Sequence, residues 1–320
     1  MHTQVVVVVE MSRPVSVGCP APSRAGGVGA LMVTVRVSVV GIANVETAVP
    51  VGTFPVPYSP VRYLPGWIST RVGGAGFNVA RALAALDAQV TLTAPLAQDV
   101  AAAAVRAEAA ALGLSLYGCA TAPASTPRSV LLVDDHGRRQ VHTDLADALG
   151  ATTDEGALQV EGHPADVAVL ANLDLSRPLL PVARRRGIPT VVDLQDVQGW
   201  DNPYDQDFLT AADLLLMSHE RLTDAPREFL AGLMQRTRAG LLVLGMGAQG
   251  NLAWHRDTIE PVWTAATELP AGTETTGAGD TLLTGVVRYT VHERLPLPLA
   301  MQLATTFTAQ SLTRRKRLSR

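Results

Sequence analysis

The sequence predicts an α/β protein with a mainly parallel sheet covered by helices on both faces. Three observations carry this. Residues 33–41 (VTVRVSVVG) form a β-branched apolar run of the kind buried on both sides. From Val167 onward, short apolar runs alternate with helical patterns, as βαβ units require. The chain has 320 residues, 47% hydrophobic and 17% charged, enough to bury a large core in one or two domains.

The elements follow in order. Residues 1–31 read differently from the rest: 5–9 have strand character, but 12–29 are rich in Gly, Pro, Ser and Ala without periodicity. We expect the folded domain, and the translation start, at Met32, with 1–31 a disordered or non-native extension and 32–320 the domain. The strand at 33–41 leads to Asn44 and Glu46. Residues 51–67 hold Pro55, Pro57, Pro60 and Pro65, which excludes a helix and suits edge strands or a flap. A helix is predicted over 79–86, with Asp87 at its stop. A strand at 89–93 and an Ala-rich helix at 100–112 follow, the latter ended by Gly113. Strands at 129–133 and 139–143 flank DDHG at 134–137, a hairpin signal. Strands at 167–170, 190–193, 213–217 and 240–244 alternate with helices at 179–186 and 227–236. A hairpin over 251–264 precedes helices at 278–291 and 297–311. In such sheets ligands bind beyond the carboxyl ends of strands; Asn44, Glu46, Ser218, Glu220, Gly245 and Gly247 all fall there.

Composition narrows the function. Net charge is −3, so no global field attracts nucleic acid or an anionic membrane; the basic run at 314–317 reads as a solvated end. The apolar run at 5–9 is too short to span a bilayer and lacks a signal peptide's basic flank. Cys19 and Cys119 make neither a disulfide framework nor a metal cluster, so a cytoplasmic, reduced protein is expected. Lys316 is the single lysine. That argues against a P-loop clamp, the protein-kinase lysine and a pyridoxal Schiff base. Phosphates would have to be held by backbone N–H groups, Arg and a metal.

The segment 274–280 (ETTGAGD) is followed by an apolar helical run. It reads either as an ordinary helix N-terminus or as an anion cradle, since free N–H groups and the helix dipole favour an anion there. Asp280 then stands in the first turn beside the anion. A cradle next to a carboxylate suits phosphoryl transfer.

Two motifs together resemble the ribokinase-like, PfkB-type carbohydrate kinase family. Residues 73–86 (GGAGFNVARALAAL) are similar to its amino-proximal signature, and 274–280 to its carboxyl-proximal D-T-T-G-A-G-D. The resemblance covers about 32–320. It implies a three-layer sandwich with a small β-lid, formed here by about 45–70 and 114–145. It implies ATP-dependent phosphorylation of a hydroxyl on a sugar, sugar phosphate or nucleoside, with ATP and Mg²⁺ and, in some members, a monovalent cation such as K⁺.

By the same resemblance Asp280 matches the catalytic base, and Gly277, Ala278 and Gly279 the anion hole. Asn44, Glu46, Gly73, Gly74 and Asn78 match sugar-binding positions, and Thr276, Gly245, Gly247 and Gly250 the nucleotide side. The chain departs from the pattern at several points. Ser218 and Arg221 stand where an Asn-x-x-Glu motif is usual, which leaves Glu220 as the candidate Mg²⁺ contact. Gly245 stands where Thr is frequent. Glu46 and Glu274 each replace an Asp; the former would shorten the sugar pocket and the latter affect the monovalent-cation site. For a phosphorylated acceptor, Arg62, Arg71 and Arg128 are candidate cations. The lid permits a homodimer.

Two other classes compete. A catalytically weak or inactive sugar- or nucleotide-binding sensor on the same fold is motivated by the changes at 218, 221 and 245. A dinucleotide-dependent dehydrogenase needs a third glycine where Val79 stands. No His pair at ligand spacing and no G-x-S-x-G elbow supports a hydrolase.

Overall fold

A computed structural model describes residues 34–197, 199–270 and 273–314. The expectations for residues 1–31, the start at Met32 and Lys316 lie outside them. The chain runs from β1 (Arg36–Val40) into β2 (Asn44–Gly52) and β3 (Ser69–Gly73), then α1 (Ala75–Ala84), β4 (Gln89–Thr93), α2 (Val100–Ala111) and β5 (Ser115–Tyr117). Next come β6 (Arg128–Asp134), β7 (Arg139–Asp144) and a short pair, β8 (Gln159–Val160) and β9 (His163–Pro164). The alternating half holds β10 (Val167–Ala171), α3 (Leu179–Arg186), β11 (Thr190–Asp196), α4 (Gln206–Ala211), β12 (Leu214–Ser218), α5 (Pro226–Arg236) and β13 (Leu241–Gly245). The hairpin β14 (Asn251–His255) and β15 (Val262–Thr264) leads to α6 (Ala278–Val286) and α7 (Leu297–Arg314).

Nine strands form one sheet in the order β15-β14-β13-β12-β11-β10-β1-β4-β5. The pairs from β5 across to β13 are parallel, and β14 and β15 are antiparallel. The apolar strands are continuous because both faces are buried. Alternate side chains go to opposite cores. Val37, Val39, Val167, Val169, Leu214 and Leu216 join Phe77, Leu83 and Leu283 on one side. Val40, Ala168, Leu170, Leu215 and Met217 join Leu179, Phe208 and Leu230 on the other. Each fully buried Leu or Phe adds about 1.5–3 kcal/mol of transfer free energy. This is the expected three-layer, mainly parallel ribokinase-like sandwich.

The second sheet has the order β3-β2-β6-β7 and is built from the segments expected to form the lid. Ser115–Tyr117, assigned to the lid by sequence, is instead the edge strand of the main sheet, pairing with β4 through Thr91 and Ser115. Gly113, at φ 69°, turns the chain back onto that edge directly after α2. The first helix also begins four residues earlier than expected, inside the glycine motif. Gly74 caps it at φ 91°, and Gly76 lies so close to β1's exit that a Cβ there would sit 2.7 Å from the Gly41 carbonyl carbon.

Candidate active site

The parallel strands deliver their carboxyl ends to one edge, and a pocket of about 1050 Å³ opens there. Its walls include Gly74, Ala75 and Asn78 from the β3–α1 junction, Asp193 of β11, Ser218 and Glu220 at the end of β12, Gly245 of β13, and 275–280. The lid contributes Glu46 of β2 and Arg139 of β7.

Gly277 caps α6 in the left-handed conformation, φ 73°, and Asp280 falls in the first turn. A Cβ on Gly279 would meet nothing within 4 Å, so that position leaves the cradle open. The Ala278 N–H, expected to face an anion, instead donates to the Thr275 carbonyl at 3.1 Å. A tight turn at 275–278 takes that amide before the helix begins. The Asn78 Nδ2 donates to Asp280 Oδ2 at 2.8 Å, while Arg81 Nη2 donates to Asn78 Oδ1 at 3.0 Å. Arg81 has no acceptor atoms, so it must face the amide oxygen, and this fixes the Asn78 nitrogen toward Asp280. Arg81 is itself held by the Val72 carbonyl at 2.9 Å and lies over the Phe77 ring, 5.1 Å from its centroid. Burial, chiefly, lowers its pKa.

At the lid end the two Glu-for-Asp replacements meet on one arginine. Arg71 of β3 donates through Nε to Glu46 Oε2 at 3.1 Å and, in a fork, through Nη1 and Nη2 to Glu274 at 3.0 and 2.7 Å. Burial works to lower the Arg71 pKa, but its bonds to Glu274 and Glu46 outweigh this and raise it. Both Glu274 oxygens therefore face a guanidinium. At the carboxylate that the resemblance associates with a monovalent-cation site, Arg71 brings a positive charge. The Glu46 carboxylate lies over Gly73, where a Cβ would sit 2.4 Å from Glu46 Cδ. Asn44, 3% exposed, donates to Ser129 Oγ at 2.7 Å. It and Gly73 support the wall from behind; Glu46, Gly74 and Asn78 line it.

At the other end, Gly245, Gly247, Gly250 and Thr276 all line the pocket. Arg139 Nη1 donates to Thr276 Oγ1, which ties the lid to the signature loop. Arg221 is taken up by Asp196, through its backbone N–H at 3.2 Å and Nε at 3.4 Å. Glu220 is exposed on the pocket wall. Asp193 was missed by sequence, although its place at a strand's carboxyl end was a usable signal. Burial first, and then the facing Asp280, push its carboxyl up to about 7. Arg139 gave no signal, since its role depends on the lid folding over the pocket. Among the described residues no three His, Cys, Asp or Glu side chains group as a metal site, and no helix is long and apolar enough to cross a membrane.

A sequence model described as pfkB family carbohydrate kinase matches residues 35–317. No curated protein matches at a significant level. Among solved structures, a microbiome-derived acarbose kinase is similar at TM-score 0.77 and 24% identity, over 90% of this chain and 99% of that one. A ribokinase from Thermotoga maritima is similar at TM-score 0.68 and 17% identity, over 89% and 95%. Arabidopsis thaliana ribokinase, complexed with ribose and ATP, is similar at TM-score 0.67 and 16% identity, over 89% and 93%. At these identities the structures establish the shared fold.

Proposed function

The chain belongs to the pfkB family of carbohydrate kinases, and on that premise we propose that it transfers the γ-phosphoryl group of ATP to a hydroxyl of a sugar or sugar-like acceptor, nucleosides included. The observation that carries this reading is the Asn78–Asp280 hydrogen bond, which joins two signatures 202 residues apart. It sets a carboxylate, oriented by a fixed amide, at the mouth of the α6 cradle.

Asp280 orients the acceptor hydroxyl and takes its proton as the new P–O bond forms. The first-turn amides of α6, Gly279's among them, stabilise charge on the transferring phosphoryl oxygens. Glu46 and Asn78 engage acceptor hydroxyls under the lid, whose closure excludes water as a competing acceptor. Gly245, Gly247, Gly250 and Thr276 border the nucleotide. Asp193 and Glu220 are the wall carboxylates that would hold Mg²⁺, which keeps several waters and relies on substrate phosphates; when bound it neutralises phosphate charge. The names of the neighbouring ribokinase and acarbose kinase support a sugar-like acceptor. The reading includes a cytoplasmic setting and a homodimer through the lid.

The test is an ADP-release screen with Mg-ATP across sugars, sugar phosphates and nucleosides. Asp280→Asn should lower kcat by about 10²–10⁴ with nucleotide affinity unchanged; equal turnover in the variant removes Asp280 from the mechanism. The pairing of Arg221 with Asp196, where the family pattern has a carboxylate, favours a second reading as a ligand sensor. Sugar binding without phosphorylation of any acceptor would select it.

A further inference from the structure

We propose that Arg71 sets specificity by closing the acceptor end of the pocket to anions, so that the acceptor is an uncharged polyol, without phosphate or carboxylate. The proposal rests on the kinase reading above.

Three cations stood as candidates for a phosphorylated acceptor, and the structure accounts for each. Arg71 gives three of its N–H groups to Glu46 and Glu274. It stands behind Glu46, which lines the pocket where Arg71 does not. Arg128 donates to Asp99 at 3.1 Å, at the start of α2. Arg62 donates to the Val51 carbonyl at 2.8 Å, on the flap. Among the described residues, the charged side chains on the pocket wall are then Glu46, Asp193, Asp196, Glu220, Glu268 and Asp280 against Arg139. Arg139 is bound to Thr276, beside the cradle.

The geometry at Arg71 explains why both replacements are glutamates. One guanidinium reaches a lid strand and the loop before α6 together, and the longer side chains carry their carboxylates to it. A forked arginine–carboxylate pair is directional and strong, and the Glu46 end presents negative charge to the acceptor. An acceptor phosphate would meet the Glu46 carboxylate while the nearby cations are already engaged, Arg71 with Glu46 and Glu274 and Arg81 with Asn78 and Glu108, whereas sugar hydroxyls can donate to Glu46.

The test uses full-length wild-type protein and matched pairs: ribose and ribose 5-phosphate, fructose and fructose 6-phosphate, adenosine and AMP. With Mg-ATP, kcat/KM for the best uncharged member should exceed that of its phosphorylated partner by at least 100-fold. Preference for a phosphorylated member overturns the proposal and leaves the kinase reading intact. Glu274→Gln releases one charge from Arg71 and should shift the selectivity ratio toward the anion by at least tenfold; an unchanged ratio in a folded variant overturns the role given to Arg71. Thermal shift of Asp280→Asn with the same pairs reads binding without turnover. Stabilisation by uncharged members alone supports the proposal, and stabilisation by phosphorylated members overturns it. Stabilisation by neither, with no turnover in the wild type, overturns both readings.

Discussion

Asp193→Asn should make the protein more stable at neutral and alkaline pH. The Asp193 carboxyl is raised from the ordinary 3.8 to about 7, by burial and by the facing Asp280. The folded state therefore holds its proton more tightly than the unfolded chain does. The stability this gives is fully present below about pH 3.8 and is lost as pH rises toward 7. Each pH unit is worth about 1.36 kcal/mol, so the full loss is on the order of 4 kcal/mol. Asp193 lines an open pocket and is only partly buried, so solvent keeps the effect to about half, roughly 2 kcal/mol. The isosteric amide has no charge to desolvate. Urea unfolding of both proteins at pH 5 and pH 8 reads the result. The variant's advantage should grow by at least about 1 kcal/mol between the two. A constant difference across this range refutes the argument that Asp193 is strained by its own charge.

Two further outcomes follow from the site. Arg81→Met removes the donor that fixes the Asn78 amide; kcat should fall about 10–100-fold, on the scale of lost positioning, and acceptor KM should rise with it because Asn78 also engages the acceptor, and a variant with wild-type kcat excludes Arg81 as a positioning residue. Gly73→Ala drives a Cβ into the Glu46 carboxylate, the far end of a flexible side chain, so the unfolding free energy should fall by about 1 kcal/mol or less while acceptor KM rises about tenfold or more; an unaltered KM in steady-state assays shows that Glu46 does not contact the acceptor.

Much of the fold was legible because its signals are local. Continuous apolar runs wrote 37–40, 167–170 and 214–217 as strands with two covered faces, and turn chemistry marked the lid hairpin at 134–137. Asp280 and its glycines were legible for the same reason: a helix N-terminus is a contiguous feature. Errors fell where distant chain decided. Ser115–Tyr117 has no preference for lid or main sheet until β4 offers it an edge. The Ala278 amide is a local exception: the turn at 275–278 takes its N–H.

By itself, then, the sequence determined the layered α/β architecture and marked the two signature segments at 73–86 and 274–280. Tertiary structure decided which of those residues touch. Asn78 and Asp280 bond across 202 positions, and Arg71 and Glu274 across 203, because the parallel sheet brings all its carboxyl ends to one edge and the lid folds over it. Charge pairing at such separations depends on three-dimensional distance alone, and no periodicity or spacing along the chain encodes it.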